Sequence, residues 1–295
     1  MMHTDFMRMD PAYADALRAC GLDTPARVLD RVEGGVVAWS RTTETLHIAN
    51  PEGGPGFYLK RYRYPRWKNR LRGALRGTFF GSHRGLAEYR TLQAMRAAGV
   101  PAVRAVAYGA RRLAHFVSTC FLITEETPAA MNLTSFAQRH PGGATVPLRV
   151  RRDGVDALAA AVAHMHAAGC EHGQLFWRNI LVRPAAHAPP EFFFLDPQPQ
   201  PIRRMGRGDR WWRRELACLL VSARGFSTAG ERLRFFLRYS GAERLTPEMK
   251  PALRDIAERA GRWSRHEAQR VRMNGLFTGW LAQLEAESRP AEPAS

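Results

Sequence analysis

The chain has 295 residues, of which 45% are apolar and 24% are charged, and these ordinary globular values exclude wholesale disorder. Lysine and arginine total 44 against 27 acids, which gives a net charge of +17. This charge favours a polyanionic partner such as nucleic acid, an anionic membrane surface or a phosphorylated substrate. An arginine-rich proteome would give the same balance. The four cysteines are far apart and form no C-x-x-C pair, which argues against a disulfide framework or a zinc site.

The N-terminal residues predict a short helical lead-in over 1–24. Residues 1–10 carry acids among their apolar residues and contain no long apolar stretch of the kind found in a secretory signal. No segment approaches the roughly 18 consecutive apolar residues that a membrane span needs. We therefore expect a cytoplasmic protein.

Residues 25–127 predict an antiparallel sheet with one helix. Short β-type runs at 36–39, 46–48 and 57–60 are separated by glycine and proline clusters. Apolar residues at three- and four-residue spacing predict a helix over 84–98, which Gly99 ends. Two further strands are predicted at 103–108 and 116–124, followed by a connector at 125–128.

Residues 128–287 change to a helical pattern. Helices are predicted at about 132–138, 155–168, 209–224, 230–239, 248–260 and 264–286. Two very short strands, 180–182 and 192–195, lie on either side of a Pro-Ala loop, and the tail 288–295 is predicted to be disordered. A β-rich N-lobe, a short hinge and a helical C-lobe predict an α+β, bilobal, protein-kinase-like fold.

Four elements with phosphate chemistry follow one another in the order that this fold requires. Lys60 ends an apolar strand, where a lysine can reach nucleotide phosphates, and Glu88 in the next helix can hold that lysine. Residues 172–179 read H-x-x-L-x-x-x-N, and Asn179 at the end of this loop is a candidate magnesium ligand. Asp196 follows a short strand, where a carboxylate can bind magnesium that bridges two phosphates.

Each of these residues alone has an ordinary structural explanation. Lys60 or Glu88 could be a solvated charge, Asn179 could cap a turn, and Asp196 before a proline could end a strand. The spacing of loop, strand, turn, strand and aspartate is more specific, because it brings two metal ligands side by side. Gly34 and Gly35 are the candidate phosphate loop, but they do not form G-x-G-x-x-G.

Over roughly 28–245 the chain resembles the lipopolysaccharide-core kinases, the heptose and Kdo kinase group that includes InaA-like proteins. The landmarks are Ser40-Arg41-Thr42-Thr43, Tyr58-Leu59-Lys60, Glu88-Tyr89, Gly99-Val100-Pro101, and residues 121–126, 165–169, 210–217 and 236–239. The resemblance implies ATP- and magnesium-dependent transfer to a sugar hydroxyl, of heptose or Kdo, in the lipid A–core glycolipid. It also implies a peripheral location at the cytoplasmic face of the inner membrane.

The resemblance also implies roles for individual residues. Lys60 and Glu88 would form the ion pair, and Asn179 and Asp196 would be the metal ligands. Glu126 lies in the predicted hinge and, with Gly34 and Gly35, completes the predicted nucleotide-binding set.

The chain departs from the family at Gln174, where the usual loop has the aspartate that accepts the hydroxyl proton. A carboxamide cannot act as a base at neutral pH, so Gln174 can only orient a hydroxyl. The neighbouring Glu171 and His172 are substitute bases only in principle, and Glu215 stands where the family tends to have an aspartate. A pseudokinase that acts as a nucleotide-binding or scaffold protein is therefore the alternative function.

Residues 60–84 contain nine basic residues, no acidic residue and five interleaved aromatics. This composition suits an anionic inner-membrane surface or a phosphorylated glycolipid, since each basic residue adds roughly 1 kcal/mol towards anionic lipid. A solvated loop, or a basic nucleic-acid or membrane-binding module without nucleotide, would have a similar composition. No RNP, KH or zinc-finger signature is present, so nucleic acid is not the expected partner.

Overall fold

The computed structural model describes residues 3–40, 42–64, 83–113, 116–140, 146–185, 188–199 and 210–287. The strands are β1 (His3–Met9), β2 (Gly35–Trp39), β3 (Thr43–Ile48), β4 (Phe57–Arg63), β5 (Ala105–Leu113), β6 (Phe116–Glu125), β7 (Met131–Asn132), β8 (Ile180–Arg183) and β9 (Glu191–Phe194). The α-helices are α1 (Ala14–Ala19), α2 (Pro25–Leu29), α3 (Arg84–Ala97), α4 (Leu133–Arg139), α5 (Leu148–Ala167), α6 (Trp211–Ala223), α7 (Ala229–Ser240) and α8 (Lys250–Glu287).

The N-terminal half is built on a six-stranded antiparallel sheet in the order β1-β5-β6-β4-β3-β2. The predicted sheet and helical C-terminal half are therefore confirmed. The helical prediction for the first residues is wrong at His3–Met9, which pair with β5 from His3 opposite Leu113 to Met9 opposite Ala107. This segment is a strand because it forms hydrogen bonds with β5. Its own mixture of polar and apolar residues is only a weak signal for a strand.

The helix α3 carries Glu88 and begins and ends with local capping contacts. The Nδ1 atom of His83 accepts a hydrogen bond from the backbone of Leu86 at 3.2 Å, which satisfies a free N–H of the first turn. Gly99 ends the helix in the left-handed conformation, with φ of 76°, as the glycine after the predicted helix suggested. Leu92 and Met95 on this helix are buried against the core of the C-terminal half.

The C-terminal half combines helices with the small antiparallel sheet β7-β8-β9. Backbone hydrogen bonds join this sheet to the segment that follows α3. The N–H of Phe194 donates to Pro101 O at 2.8 Å, and the N–H of Val103 donates to Phe194 O at 3.0 Å. Because Phe194 precedes Asp196 by two residues, these bonds fix the approach to Asp196 relative to the N-terminal half.

The long helix α8 packs along α6 and reaches the loop before β8. Arg178 in this loop forms a salt bridge with Glu267 of α8, and both side chains are mostly buried. Among the described residues, no helix combines the length and the apolar character needed to cross a bilayer. The predicted domain boundaries at 24, 127 and 287 stay predictions, and the tail 288–295 lies outside the described residues.

Candidate active site

Lys60 lies at the centre of a buried charged cluster. Its ammonium donates to both carboxylate oxygens of Glu88, at 2.9 and 3.1 Å, and to Oδ1 of Asp196 at 2.5 Å. The strand β4 supplies the lysine, α3 supplies the glutamate, and the residues after β9 supply the aspartate. Burial lowers the pKa of Lys60, but the two carboxylates outweigh it and hold the pKa above its usual value, so the side chain stays charged.

Tyr62 is a member of this cluster that the sequence analysis missed. Its side chain is buried, and its hydroxyl donates to Oε2 of Glu88. Burial, followed by the charge of Glu88, raises the pKa of Tyr62 well above its usual value, which keeps the hydroxyl protonated as a donor. The available signal was its position two residues after Lys60, because alternate residues of a strand face the same side.

Asp196 adopts a backbone conformation that is rare for residues other than glycine. Its φ of 56° lies in the left-handed region, and such strain persists where surrounding contacts hold it and is concentrated at functional sites. Burial would raise the pKa of Asp196, but the charge and hydrogen bond of Lys60 hold the pKa below its usual value. The carboxylate is therefore ionised next to the lysine.

Asn179 lies beside the strand that leads to Asp196. Its side-chain Nδ2 donates to the backbone oxygen of Gln174 at 2.9 Å, which leaves Oδ1 as the oxygen that can bind a ligand. Its backbone oxygen accepts from Leu195 N at 3.1 Å. The loop and the segment before Asp196 are thus joined at the position where the two predicted metal ligands stand.

The donor set suits magnesium. Mg²⁺ prefers oxygen ligands and is usually bound by one or two protein groups together with phosphate oxygens and water. The amide oxygen of Asn179 and the carboxylate of Asp196 provide such oxygens. Within the described ranges no group of three or more His, Cys, Asp or Glu side chains could hold a metal. The two oxygen donors of Asn179 and Asp196 fit a cation whose remaining ligands are phosphate oxygens and water.

His172 holds the loop in place, and the catalytic role predicted for it stays a prediction. The ring is fully buried, its Nε2 contacts Leu195 O at 3.0 Å, and its Nδ1 accepts from Gln174 N at 3.3 Å. Burial lowers the pKa of His172 to about 4. The neutral ring is closed to solvent and engaged at both nitrogens, and it holds the loop against the segment before Asp196.

Glu215 holds the same loop from the other side. This fully buried carboxylate on α6 accepts from the backbone N–H groups of His172 at 2.8 Å and Gly173 at 3.1 Å. Burial raises the pKa of Glu215 to about 7, although the two amides oppose this shift. Gly173 has φ of 80°, and an added Cβ would lie 2.5 Å from Cβ of Gln198, so the loop requires glycine here.

Gln174 occupies the position at which a proton acceptor was expected. Its backbone contacts His172 and Asn179 as described above, and the residue is partly exposed. No described residue hydrogen-bonds to its side-chain amide. The amide is therefore available to a substrate hydroxyl as a donor or an acceptor, but not as a base.

Glu126 links the connector to the turn before β4 by hydrogen bonds. Its carboxylate accepts from Gly56 N at 3.0 Å and contacts Nε2 of His47 at 3.1 Å. Its backbone N–H donates to Gly56 O at 2.8 Å. The side chain and the N–H of Glu126 are thus already engaged, and the predicted contact of this residue with a nucleotide stays untested.

Gly34 and Gly35 lie at the start of β2, and their predicted role as a phosphate loop stays a prediction. Gly35 begins β2 opposite His47, whereas the hairpin turn is at the other end of the strand, where Ser40 N donates to Thr43 O at 2.7 Å. The membrane-binding prediction for 60–84 falls mostly on residues 65–82, which lie outside the described residues.

A lysine–glutamate ion pair between sheet and helix, followed along the chain by an asparagine and by an aspartate after two short strands, is the arrangement of a protein-kinase-like fold. Residues 22–239 match the model of the lipopolysaccharide kinase (Kdo/WaaP) family. The chain belongs to this family, as the resemblance predicted. Membership places it in a kinase-type phosphotransferase family and implies use of ATP.

Two relatives and one solved structure illustrate the match. The lipopolysaccharide core heptose(I) kinase WaaP of Pseudomonas aeruginosa is 28% identical over 226 residues, which cover 73% of this chain and 80% of the relative. The Escherichia coli protein of the same name is 28% identical over 162 residues, 54% of this chain and 58% of the relative. The structure described as WaaP in complex with acyl carrier protein is 24% identical, with a TM-score of 0.60, and covers 90% of this chain and 98% of that chain. This last similarity confirms the fold.

Proposed function

We propose that this chain transfers phosphate from ATP to a sugar hydroxyl, of heptose or Kdo, in the inner core of lipopolysaccharide. The observation that supports this most directly is the cluster of Lys60, Glu88 and Asp196. The cluster joins strand, helix and loop at the position where a kinase binds phosphates. The family match supplies the class of acceptor.

In this proposal Lys60 binds the phosphates of the nucleotide, while Glu88 and Tyr62 hold its ammonium in place. Asn179 and Asp196 hold magnesium, which when bound neutralises charge that develops on the phosphates. The phosphoryl group leaves the nucleotide and forms a bond to the acceptor oxygen, and the hydroxyl proton goes to solvent. Gln174 orients that hydroxyl.

The absence of a carboxylate at residue 174 is compatible with slow transfer. General base catalysis typically contributes about 10²–10⁴-fold. Phosphoryl transfer passes through a loose transition state, in which positioning and charge stabilisation contribute most of the acceleration. In this proposal the loop held by His172 and Glu215 contributes the positioning, and the charges around Lys60 contribute the stabilisation.

The test is transfer of labelled phosphate from ATP, with magnesium, to purified lipid A carrying either Kdo alone or Kdo and heptose. We expect label in the acceptor, and comparison of the two acceptors assigns the sugar. Replacing ATP by GTP measures nucleotide preference in the same assay. Absence of label in both acceptors, with a magnesium–ATP thermal shift still present, would contradict kinase activity and support the pseudokinase alternative, which Gln174 and the buried ring of His172 favour.

The place of action follows from the proposed acceptor. A lipid A–core glycolipid is embedded in a membrane through its acyl chains, so a kinase that acts on it works at a membrane surface. The net charge of +17 favours binding to anionic lipid. We therefore propose a peripheral location at the cytoplasmic face of the inner membrane, with residues 60–84 as the contacting segment.

An apolar cavity in the C-terminal half suggests a second partner. The cavity has a volume of about 360 Å³, within the usual range of small-ligand pockets. Side chains of α5, α6, α7 and α8 line it, including Leu158, Leu216, Leu219, Phe236 and Ile256. Such a lining fits an acyl chain, and the structural relative was solved with an acyl carrier protein. We propose that an acyl carrier protein binds here with its acyl group in the cavity.

A pair of leucine variants tests this partner. Leu233 lines the cavity and is 41% exposed, whereas Leu245 is 38% exposed and lies outside the lining. Acylated carrier protein is expected to bind the wild type and the Leu245→Glu variant, and to bind Leu233→Glu at least about tenfold more weakly, because the new carboxylate would have to be desolvated. Surface plasmon resonance measures this, and equal binding of acylated and unacylated carrier protein would contradict the cavity as the acyl site.

A further inference from the structure

Arg84 is a second cation beside the cluster around Lys60. It is the first residue of α3 and precedes Glu88 by four residues, so both side chains lie on the same face of the helix. Its guanidinium lies 4.8 Å from the ring centre of Tyr62, and the ammonium of Lys60 lies 5.3 Å from the same centre. Tyr62 therefore contacts both cations with its ring and Glu88 with its hydroxyl.

The guanidinium of Arg84 is not paired with a carboxylate among the described residues. It forms no salt bridge with any residue of the described ranges, whereas Arg61 pairs with Glu44 and Arg178 pairs with Glu267. The ring below it is buried and Arg84 itself is exposed, so part of the guanidinium remains open to a ligand. An arginine stacked on an aromatic ring is already ordered and loses less conformational entropy on binding.

The cluster around Lys60 has a net negative charge, which favours a second cation beside it. Glu88 and Asp196 contribute two negative charges, and Lys60 contributes one positive charge. Arg84 lies over the same ring as Lys60, and the ammonium of Lys60 contacts Asp196 at 2.5 Å, so the guanidinium stands beside the cluster. Phosphates that bind at this site would find Lys60 already shared between two carboxylates, whereas Arg84 has no carboxylate partner among the described residues.

We propose that Arg84, ordered by the ring of Tyr62, binds a phosphate oxyanion at the site of transfer. This inference rests on the proposed function and adds a residue to it. The guanidinium presents two parallel N–H donors, which match two oxygens of one phosphate. The phosphate can belong to the end of the nucleotide or to a phosphorylated acceptor, and binding measurements separate the two sources. Tyr62 is the positioning residue of this pair, since it touches both cations but no substrate.

The first experiment compares nucleotide affinities by isothermal titration calorimetry with magnesium, using ADP and a non-hydrolysable ATP analogue. If Arg84 binds the terminal phosphate, Arg84→Met weakens binding of the analogue at least about tenfold and leaves ADP unchanged, because the charge-assisted hydrogen bonds of the guanidinium are lost. If it binds a phosphate of the acceptor, both nucleotide affinities stay unchanged and the KM for phosphorylated acceptor rises at least about tenfold. Arg90→Met, which removes an exposed arginine from the same helix, is the matched control.

Two variants of Tyr62 test the positioning step. Tyr62→Phe keeps the ring under Arg84 but removes the hydroxyl, so its preference for the analogue over ADP stays within about twofold of the wild type. Tyr62→Leu removes the ring, and we expect it to show the same selective loss as Arg84→Met while thermal unfolding confirms that it is folded. Unchanged affinities and acceptor KM in Arg84→Met would overturn this inference alone, whereas a wild type that binds neither nucleotide would overturn the proposed function with it.

Discussion

Replacing Asp196 by asparagine is expected to lower phosphate transfer by about 10³-fold, because charge stabilisation by a bound metal contributes several kcal/mol to the transition state. Asparagine tolerates the left-handed conformation that Asp196 adopts, so the backbone keeps its course. It also keeps an oxygen at the site but loses the charge that attracts a cation. Lys60 retains its contact with Glu88, which supports the fold of the cluster.

The measurement is the initial rate of labelled transfer, with thermal unfolding as the check on folding. Asp15→Asn is the matched control, since Asp15 is exposed on α1 and pairs only with Arg18 among the described residues. The control is expected to transfer phosphate at the wild-type rate. A rate for Asp196→Asn within about tenfold of the wild type would show that this carboxylate does not hold an essential metal.

Replacing Gln174 by aspartate is expected to raise kcat by about 10²-fold, the lower end of the usual contribution of a general base. The side-chain amide of Gln174 has no hydrogen-bond partner in the described part of the chain, so the replacement breaks no internal contact. The backbone bonds of residue 174 to His172 and Asn179 remain possible, because they use main-chain atoms. The affinity for nucleotide should therefore stay constant while the chemical step accelerates.

Gln174→Asn separates the effect of charge from that of length. Asparagine has the size of aspartate and cannot accept a proton, so its kcat should not exceed that of the wild type. Single-turnover rates with saturating ATP and acceptor isolate the chemical step. If aspartate and asparagine gave the same rate, proton transfer would not limit the reaction and the native glutamine would not impair it.

The positions of Lys60, Glu88, Asn179 and Asp196 could be predicted because each follows a recognisable local element. A lysine at a strand end, a glutamate in the next helix and an H-x-x-L-x-x-x-N loop before two short strands appear in fixed order along the chain. Once the order of elements implies a fold, that fold brings the residues together. The distances around Lys60 show that it does, while the roles of these residues in catalysis stay predictions.

Other features depend on contacts between distant segments and could not be predicted. Residues 3–9 become a strand through pairing with β5, and nothing within those residues specifies that partner. The sequence around Tyr62 indicates only an ordinary strand residue, because Glu88, which accepts from its hydroxyl, comes from the separate helix α3. The burial of His172 and its two hydrogen bonds could not be predicted either, because sequence spacing does not report which distant groups contact a histidine ring.

The salt bridge between Arg178 and Glu267 stabilises the loop through a residue that lies outside the range matched by the family model. The family match ends at residue 239, whereas Glu267 lies on α8, which runs to residue 287. Arg178 is the neighbour of Asn179, so a residue absent from the shared family region helps to set where a predicted metal ligand stands. Relatives that differ in length or sequence beyond residue 239 can therefore differ in reaction rate while keeping every residue of the common site.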